Sequence, residues 1–275
     1  MKKEVNKIKK ILIVLVCLLL SGCWTTPPPP EPNETVYRAF LVGVEDCYID
    51  EMDLPVAGYN VERLREIFSA CKFTNSEIEF SSIDILRGSD STKEAILEGI
   101  LFNFEKANKD DISYFYFMGH GGVRDGQPIL CPTDYTGCIC SAITLEELET
   151  TFDMIHGTKI LFLESCHSGN FIEKDFNNKV VEVFSQSDLA FNKDNYQVIT
   201  SSSGSQYSWY QGVMSFFTMG LYQGCKDLKA DTNKDKIVDF SELYEYIVNW
   251  IEQHNTHNQD AQMYPDGSIF PIVEF

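Results

Sequence analysis

Two short apolar runs in this chain each end in a reactive side chain with glycine close by, and this pairing constrains the fold more than any other feature. Ile112-Ser113-Tyr114-Phe115-Tyr116-Phe117-Met118 leads straight into Gly119-His120-Gly121-Gly122. Ile160-Leu161-Phe162-Leu163 leads into Glu164-Ser165-Cys166-His167-Ser168-Gly169. Such runs predict buried strands of a parallel sheet, because a strand covered on both faces needs no polar alternation. In an open α/β sheet the ligand site lies beyond the carboxyl ends of the strands. One fold rule therefore delivers His120 and Cys166, 46 residues apart, to the same rim. An imidazole beside a thiol is the arrangement that nucleophilic catalysis by cysteine requires.

The flanking sequence alternates in the same style. Strands are expected at 36–44, 82–86 and 196–200, and helices at 60–70, 214–224 and 242–250. Ser91-Thr92-Lys93-Glu94 reads as a capping box opening a helix whose Ala95, Ile96, Ile100 and Phe104 share a stripe. Thr144-Leu145-Glu146-Glu147 reads as a second box, and residues 123–142 between them as an irregular loop. Strand–helix alternation of this kind implies a three-layer α/β domain with a mostly parallel central sheet, spanning residues 36–275.

The N-terminus lies outside that domain. A lysine-rich start precedes ten apolar residues from Ile11 to Leu20, too short to span a bilayer and suited to a signal peptide over 1–22. Leu20-Ser21-Gly22-Cys23 looks like a bacterial lipobox, which makes Cys23 the lipidated first residue of an exported, membrane-anchored protein; an ordinary signal peptide cut elsewhere is the alternative. The proline-rich stretch 23–35 then serves as a semi-rigid tether. The whole chain carries a net charge of −19, and residues 1–22 hold five Lys and one Glu, so the mature protein is more acidic still. That charge argues against nucleic acid as a partner and against adhesion to anionic headgroups.

Of nine cysteines, Cys17 falls in the signal and Cys23 at the lipid site. Reserving Cys166 as a nucleophile leaves six: Cys47, Cys71, Cys131, Cys138, Cys140 and Cys225. An even number in an exported protein suits disulfides, with connectivity open. Cys131, Cys138 and Cys140 crowd one loop, as a bridge or as part of a zinc site.

Near the C-terminus, Asp231, Asn233, Asp235, Asp239 and Glu242 occupy positions 1, 3, 5, 9 and 12 of an EF-hand loop, and Ile237 would donate its carbonyl at position 7. Lys236 stands where glycine makes the sharp turn. A weak structural Ca²⁺ site is expected, with a ligand-free turn as the alternative.

The Gly119-His120-Gly121 and Glu164-Ser165-Cys166-His167-Ser168-Gly169 pair resembles the two catalytic motifs of the caspase–metacaspase clan of cysteine peptidases, in its bacterial branch, where Asp stands in place of Glu164. The resemblance implies a caspase-like fold and hydrolysis of peptide bonds by a Cys166–His120 dyad, with no cofactor needed for the chemistry. It implies an oxyanion hole from the amides of Gly121 and Cys166. Relatives select Arg or Lys through the acidic residue two before the cysteine, here Glu164. A second acidic residue is usual where this chain has Asn60, within Leu54-Pro55-Val56-Ala57-Gly58-Tyr59-Asn60-Val61, so one formal charge is missing. Asp134 is a further acidic residue expected near the rim, and Ser201, Ser202 and Trp209 resemble the segment that lines the substrate groove. Residues 170–195 match the linker often cut in relatives, with Lys174, Lys179 and Lys193 as candidate positions and an intact loop as the alternative. The expected partner is a peptide or protein substrate. Asn60 and Lys236 depart from family patterns and keep open a second reading, a catalytically silent peptide-binding lipoprotein.

Overall fold

The computed structural model describes residues 34–73, 78–172, 191 and 193–275. The expected signal segment 1–22, Cys23 and most of the expected tether lie outside the described residues, as do Lys174 and Lys179.

In chain order the elements are β1 (Tyr37–Gly43), α1 (Val56–Phe68), β2 (Phe80–Arg87), α2 (Lys93–Phe104), β3 (Ile112–Met118), β4 (His120–Arg124), β5 (Gln127–Cys131), β6 (Ile143–Thr144), α3 (Leu145–Asp153), β7 (Thr158–Glu164), β8 (Tyr196–Thr200), β9 (Tyr210–Gln211), β10 (Met214–Ser215), α4 (Phe216–Cys225), β11 (Ile237–Asp239), α5 (Phe240–His254), β12 (Gln262–Tyr264) and β13 (Pro271–Glu274). The central sheet runs β12-β8-β7-β3-β1-β2. All of its neighbours pair in parallel except β12, an antiparallel edge strand on β8.

Period-two alternation in β3 builds the three layers. Tyr114 and Tyr116 join Leu64 and Ile67 of α1, Phe217 and Leu221 of α4, and Leu243 and Ile247 of α5 in one core. Phe115 and Phe117 join Ile96, Ile100 and Phe104 of α2 and Leu148 and Phe152 of α3 in the other. Both faces are covered, so the strand is apolar throughout. The mostly parallel sheet with flanking helices is the expected fold class.

Several local expectations change. Thr92, not Ser91, caps α2, its hydroxyl accepting from the Ala95 amide at 3.2 Å. Ser91 is instead buried and donates to the Gly43 carbonyl at 3.2 Å. The box at Thr144–Glu147 forms as read, opening α3. The loop expected over 123–142 begins as a hairpin, with β4 and β5 paired antiparallel up to Cys131, and β6 just beyond it adds a third strand. Its turn is Asp125-Gly126, with φ of 50° and 78°, the pair of left-handed residues that matches the twist of a tight hairpin. Six cysteines do not make three bridges. Among the described residues Cys138 and Cys140 are bonded to each other, whereas Cys47, Cys71, Cys131, Cys166 and Cys225 are free. Among those residues, too, no helix is long and apolar enough to cross a membrane.

Candidate active site

Strand register sets His120 and Cys166 level. Met118 of β3 faces Glu164 of β7, and each reactive residue lies two positions further on. The Gly119 amide donates to the Glu164 carbonyl at 3.2 Å. Beyond it the two segments stay in contact: a Cβ placed on Gly121 would lie 2.4 Å from Ser165 Oγ and 3.0 Å from the Cys166 carbonyl. Only a residue without a side chain lets the two loops close at this spacing.

His120 Nε2 lies 2.8 Å from the Met52 carbonyl oxygen. A carbonyl only accepts, so Nε2 carries the proton and the Nδ1 lone pair is the basic position of the neutral ring. Met52 closes a short 3-10 turn, Asp50–Met52, in the connection between β1 and α1.

Cys166 is half-buried and free. Burial pushes its thiol up from the ordinary value, while the backbone amides of Ser208 and of Cys166 itself favour the thiolate. A seryl cluster holds the loop beneath it. Ser202 and Ser201 hydroxyls donate to the Ser165 carbonyl at 3.1 and 3.3 Å, and Ser168 Oγ reaches Ser202 Oγ at 3.3 Å. His167 takes a left-handed φ of 61°, turning its ring out toward Tyr207, and its Nδ1 lies 3.0 Å from the Gly204 carbonyl.

Glu164 ends β7 inside the protein. Its Oε2 receives the hydroxyls of Tyr116 at 2.8 Å and Thr218 at 2.6 Å, and Oε1 has no hydrogen-bond partner among the described residues. Burial raises the carboxyl above its usual value despite hydrogen bonding from Ser215, Thr218 and Tyr116. Asn60 is part of the same cluster: Oδ1 accepts from the Ser215 amide at 3.4 Å, and Nδ2 donates to Met118 Sδ at 2.7 Å.

No family model matches the sequence, and no curated protein matches it. Solved structures do. A structural-genomics protein from Geobacter sulfurreducens superposes with a TM-score of 0.61 at 16% identity, over 86% of this chain and 97% of that one. Caspase-1 from Spodoptera frugiperda superposes with a TM-score of 0.56 at 12% identity, over 87% of this chain and 89% of that one. The fold is caspase-like.

Within this caspase-like fold the other sequence-derived candidates divide. Ser201 and Ser202 are fully buried and are used to hold the Ser165–Ser168 turn. Trp209 stacks on His257 with ring centres 3.9 Å apart, beside exposed Tyr207 and Tyr210. Asp134 accepts from the Lys93 amide at 2.9 Å, capping α2. Lys193 is held by Glu149 at 2.9 Å and Asp153 at 2.5 Å.

Sequence reasoning missed Met52, Ser208, Ser215, Thr218 and Gln259. Met52 and Ser208 act through backbone atoms, which no side-chain pattern signals. Gln259 is buried and ties the Ser201 carbonyl to the Trp209 amide at 2.9 and 3.0 Å.

The 231–242 loop folds around its own acidic side chains. Asp231 accepts from the amides of Asp235 at 3.2 Å and Lys236 at 3.0 Å, and Glu242 Oε1 accepts from Thr232 and Asn233 amides at 3.1 and 3.3 Å. Asp239 and Glu242 form a capping box on α5. Lys236 sits at φ 71°. Among the described residues no three His, Cys, Asp or Glu side chains converge as a metal-ligand set.

Proposed function

We propose that this chain is a cysteine endopeptidase that cleaves after Arg or Lys, with Cys166 as nucleophile and His120 as its base. The observation that carries this reading is the close packing of Gly121 on Ser165 and Cys166, which holds the two loops together while Met52 fixes the tautomer of His120. The Cys166 sulfur would attack the scissile carbonyl carbon as the imidazole holds its proton. Breaking the C–N bond would pass that proton to the leaving amine. A water would then attack the thioester, giving its proton back through His120 and freeing the carboxylate product. Amides of Gly121 and Cys166 are the proposed donors to the oxyanion, each worth about 3 kcal/mol of barrier in well-studied hydrolases.

Glu164 supports the basic preference. It is a buried carboxylate with one oxygen unpartnered among the described residues, so an incoming guanidinium or ammonium would supply the missing donor and favour the charged form. Asn60 would contribute an amide oxygen in place of a second charge. The proposed setting is the bacterial envelope, with the lipidated Cys23 as anchor.

The test is cleavage of Arg- and Lys-ended fluorogenic peptides by the wild-type protein beside Cys166→Ala and His120→Ala. Activity lost in both variants supports the dyad; full activity in Cys166→Ala would overturn it. One observation favours a second reading, a silent peptide-binding protein: burial outweighs the amides that would lower the Cys166 thiol. Alkylation of Cys166 no faster than that of free cysteine would select that reading.

A further inference from the structure

We propose that Cys47 and Cys131 form a reversible disulfide that staples the segment carrying the Met52 carbonyl to the strand paired with His120, and so sets how firmly the imidazole is held. Cys47 Sγ donates to the Met52 carbonyl at 3.1 Å, the same oxygen that His120 Nε2 reaches at 2.8 Å. One acceptor thus binds a thiol and the proposed base together. Cys131 is the cross-strand partner of His120 in the β4–β5 hairpin.

Backbone contacts join the two thiol-bearing segments. The Tyr48 amide donates to the Thr133 carbonyl at 2.7 Å, and the Thr133 hydroxyl donates to the Asp46 carbonyl. Cys47 lies between Asp46 and Tyr48, and Cys131 lies two residues before Thr133. Cys47 is half-buried and Cys131 buried, so a soluble oxidant meets Cys47 first. Burial, with Asp53 and Asp46 adding to it, pushes the Cys47 thiol up to about 11. Burial pushes Cys131 up to about 12, with the Cys47 charge the next cause and Cys166 after it. High-pKa thiols are poor leaving groups, so the bond exchanges slowly and is released by excess thiol or by dithiothreitol.

The oxidant is a small-molecule disulfide, RSSR. Cys47 thiolate attacks one of its sulfurs and expels RS⁻, giving a mixed disulfide. Cys131 thiolate then attacks the Cys47 sulfur and expels the second RS⁻. The two protein protons end on two RSH, and two electrons pass from the pair to RSSR. With the Cys47 S–H gone, the Met52 carbonyl keeps His120 as its donor among the described residues, and residues 45–53 are fastened to β5.

The bond itself is independent of the peptidase reading; only its effect on Cys166 rests on that reading. The full chain is equilibrated in glutathione buffers of graded oxidised-to-reduced ratio, acid-quenched, alkylated and peptide-mapped by mass spectrometry. A Cys47–Cys131 crosslink is expected in oxidised buffer and absent after dithiothreitol. Iodoacetamide is expected to label Cys166 at least threefold faster in the oxidised form, a difference lost in Cys47→Ser and, should that variant fail to fold, in Cys131→Ala. No such crosslink at any ratio, or Cys131 linked to Cys166 instead, overturns the proposal. So does a crosslink that leaves the Cys166 labelling rate unchanged. A crosslink that changes labelling in a protein that cleaves no peptide supports the proposal and overturns the peptidase reading alone.

Discussion

Gly121 and Ser165 pack so closely that a Cβ on the glycine would lie 2.4 Å from Ser165 Oγ and 2.8 Å from Ser165 Cβ. This contact spans the two strand ends that bear His120 and Cys166, so the space between the loops is set by the absence of one methyl group. Gly121→Ala must push the loops apart, because the Cys166 backbone carbonyl is also within 3.0 Å. A displacement of this kind costs on the order of a hundredfold in rate where reacting groups must be aligned. The expected result is a kcat/KM on basic peptides reduced about that much, with a Tm within a few degrees of wild type. Wild-type kinetics in Gly121→Ala would show that the contact does not set the site.

Glu164 gives a pH signature. Its folded carboxyl is raised by burial above the usual 4.5, so the folded protein keeps a proton that the unfolded chain has lost. Stability therefore falls as pH rises from about 4.5 through the folded value. Glu164→Gln removes this titration, and urea midpoints of variant and wild type should diverge in favour of the variant over that window. The same substitution should slow Arg-ended substrates by roughly 10- to 100-fold, the loss of a charge-assisted contact of ~1.5–3 kcal/mol. Parallel midpoints would show that Glu164 is ionised in the free protein.

Asp111 has the opposite sign. Burial raises its carboxyl, but the Asn108 amide, the Arg38 guanidinium at 3.0 Å and the Val36 amide outweigh it and hold it below the usual 3.8. Its contribution is present above 3.8 and is lost as pH falls through the folded value. Asp111→Asn leaves Arg38 poorly paired and should cost about 3 kcal/mol at neutral pH. Chemical denaturation at pH 7 and pH 3 checks this: the gap should narrow in acid.

Lys236 holds a left-handed φ of 71° in the acidic 231–242 loop. Lys236→Gly should stabilise the protein by about 1 kcal/mol by relieving that conformation. If the loop takes Ca²⁺, as its spacing proposes, the Tm should rise in millimolar Ca²⁺ relative to chelator, and more so in Lys236→Gly, where a cation no longer repels the metal. Identical melting of both proteins in Ca²⁺ and chelator would assign the acidic side chains to turn-making alone.

The parts legible in the sequence are those that local chemistry decides. Continuous apolar runs specified β3 and β7, and the Thr144–Glu147 spacing specified the cap of α3, because both depend on residues within a few positions of one another. The Asp125-Gly126 turn was equally local, and reading residues 123–142 as loop overlooked it. Other features join residues far apart in the chain. Asn60 meets Glu164 through Ser215 and Met118, and Asp134 and Ser201 are turned to capping and support by neighbours that no motif names. The cysteine count suited three bridges, yet a bond requires two sulfurs at bonding distance, a matter of packing and not of parity.

A histidine and a cysteine at the ends of two buried strands are legible from local sequence, because burial and strand period are properties of neighbouring side chains. Packing of distant segments makes those strands adjacent and in register, and lays Gly121 on Ser165. It also decided which imidazole nitrogen carries the proton, because that rests on the Met52 carbonyl, a backbone atom every residue possesses and only the fold can aim.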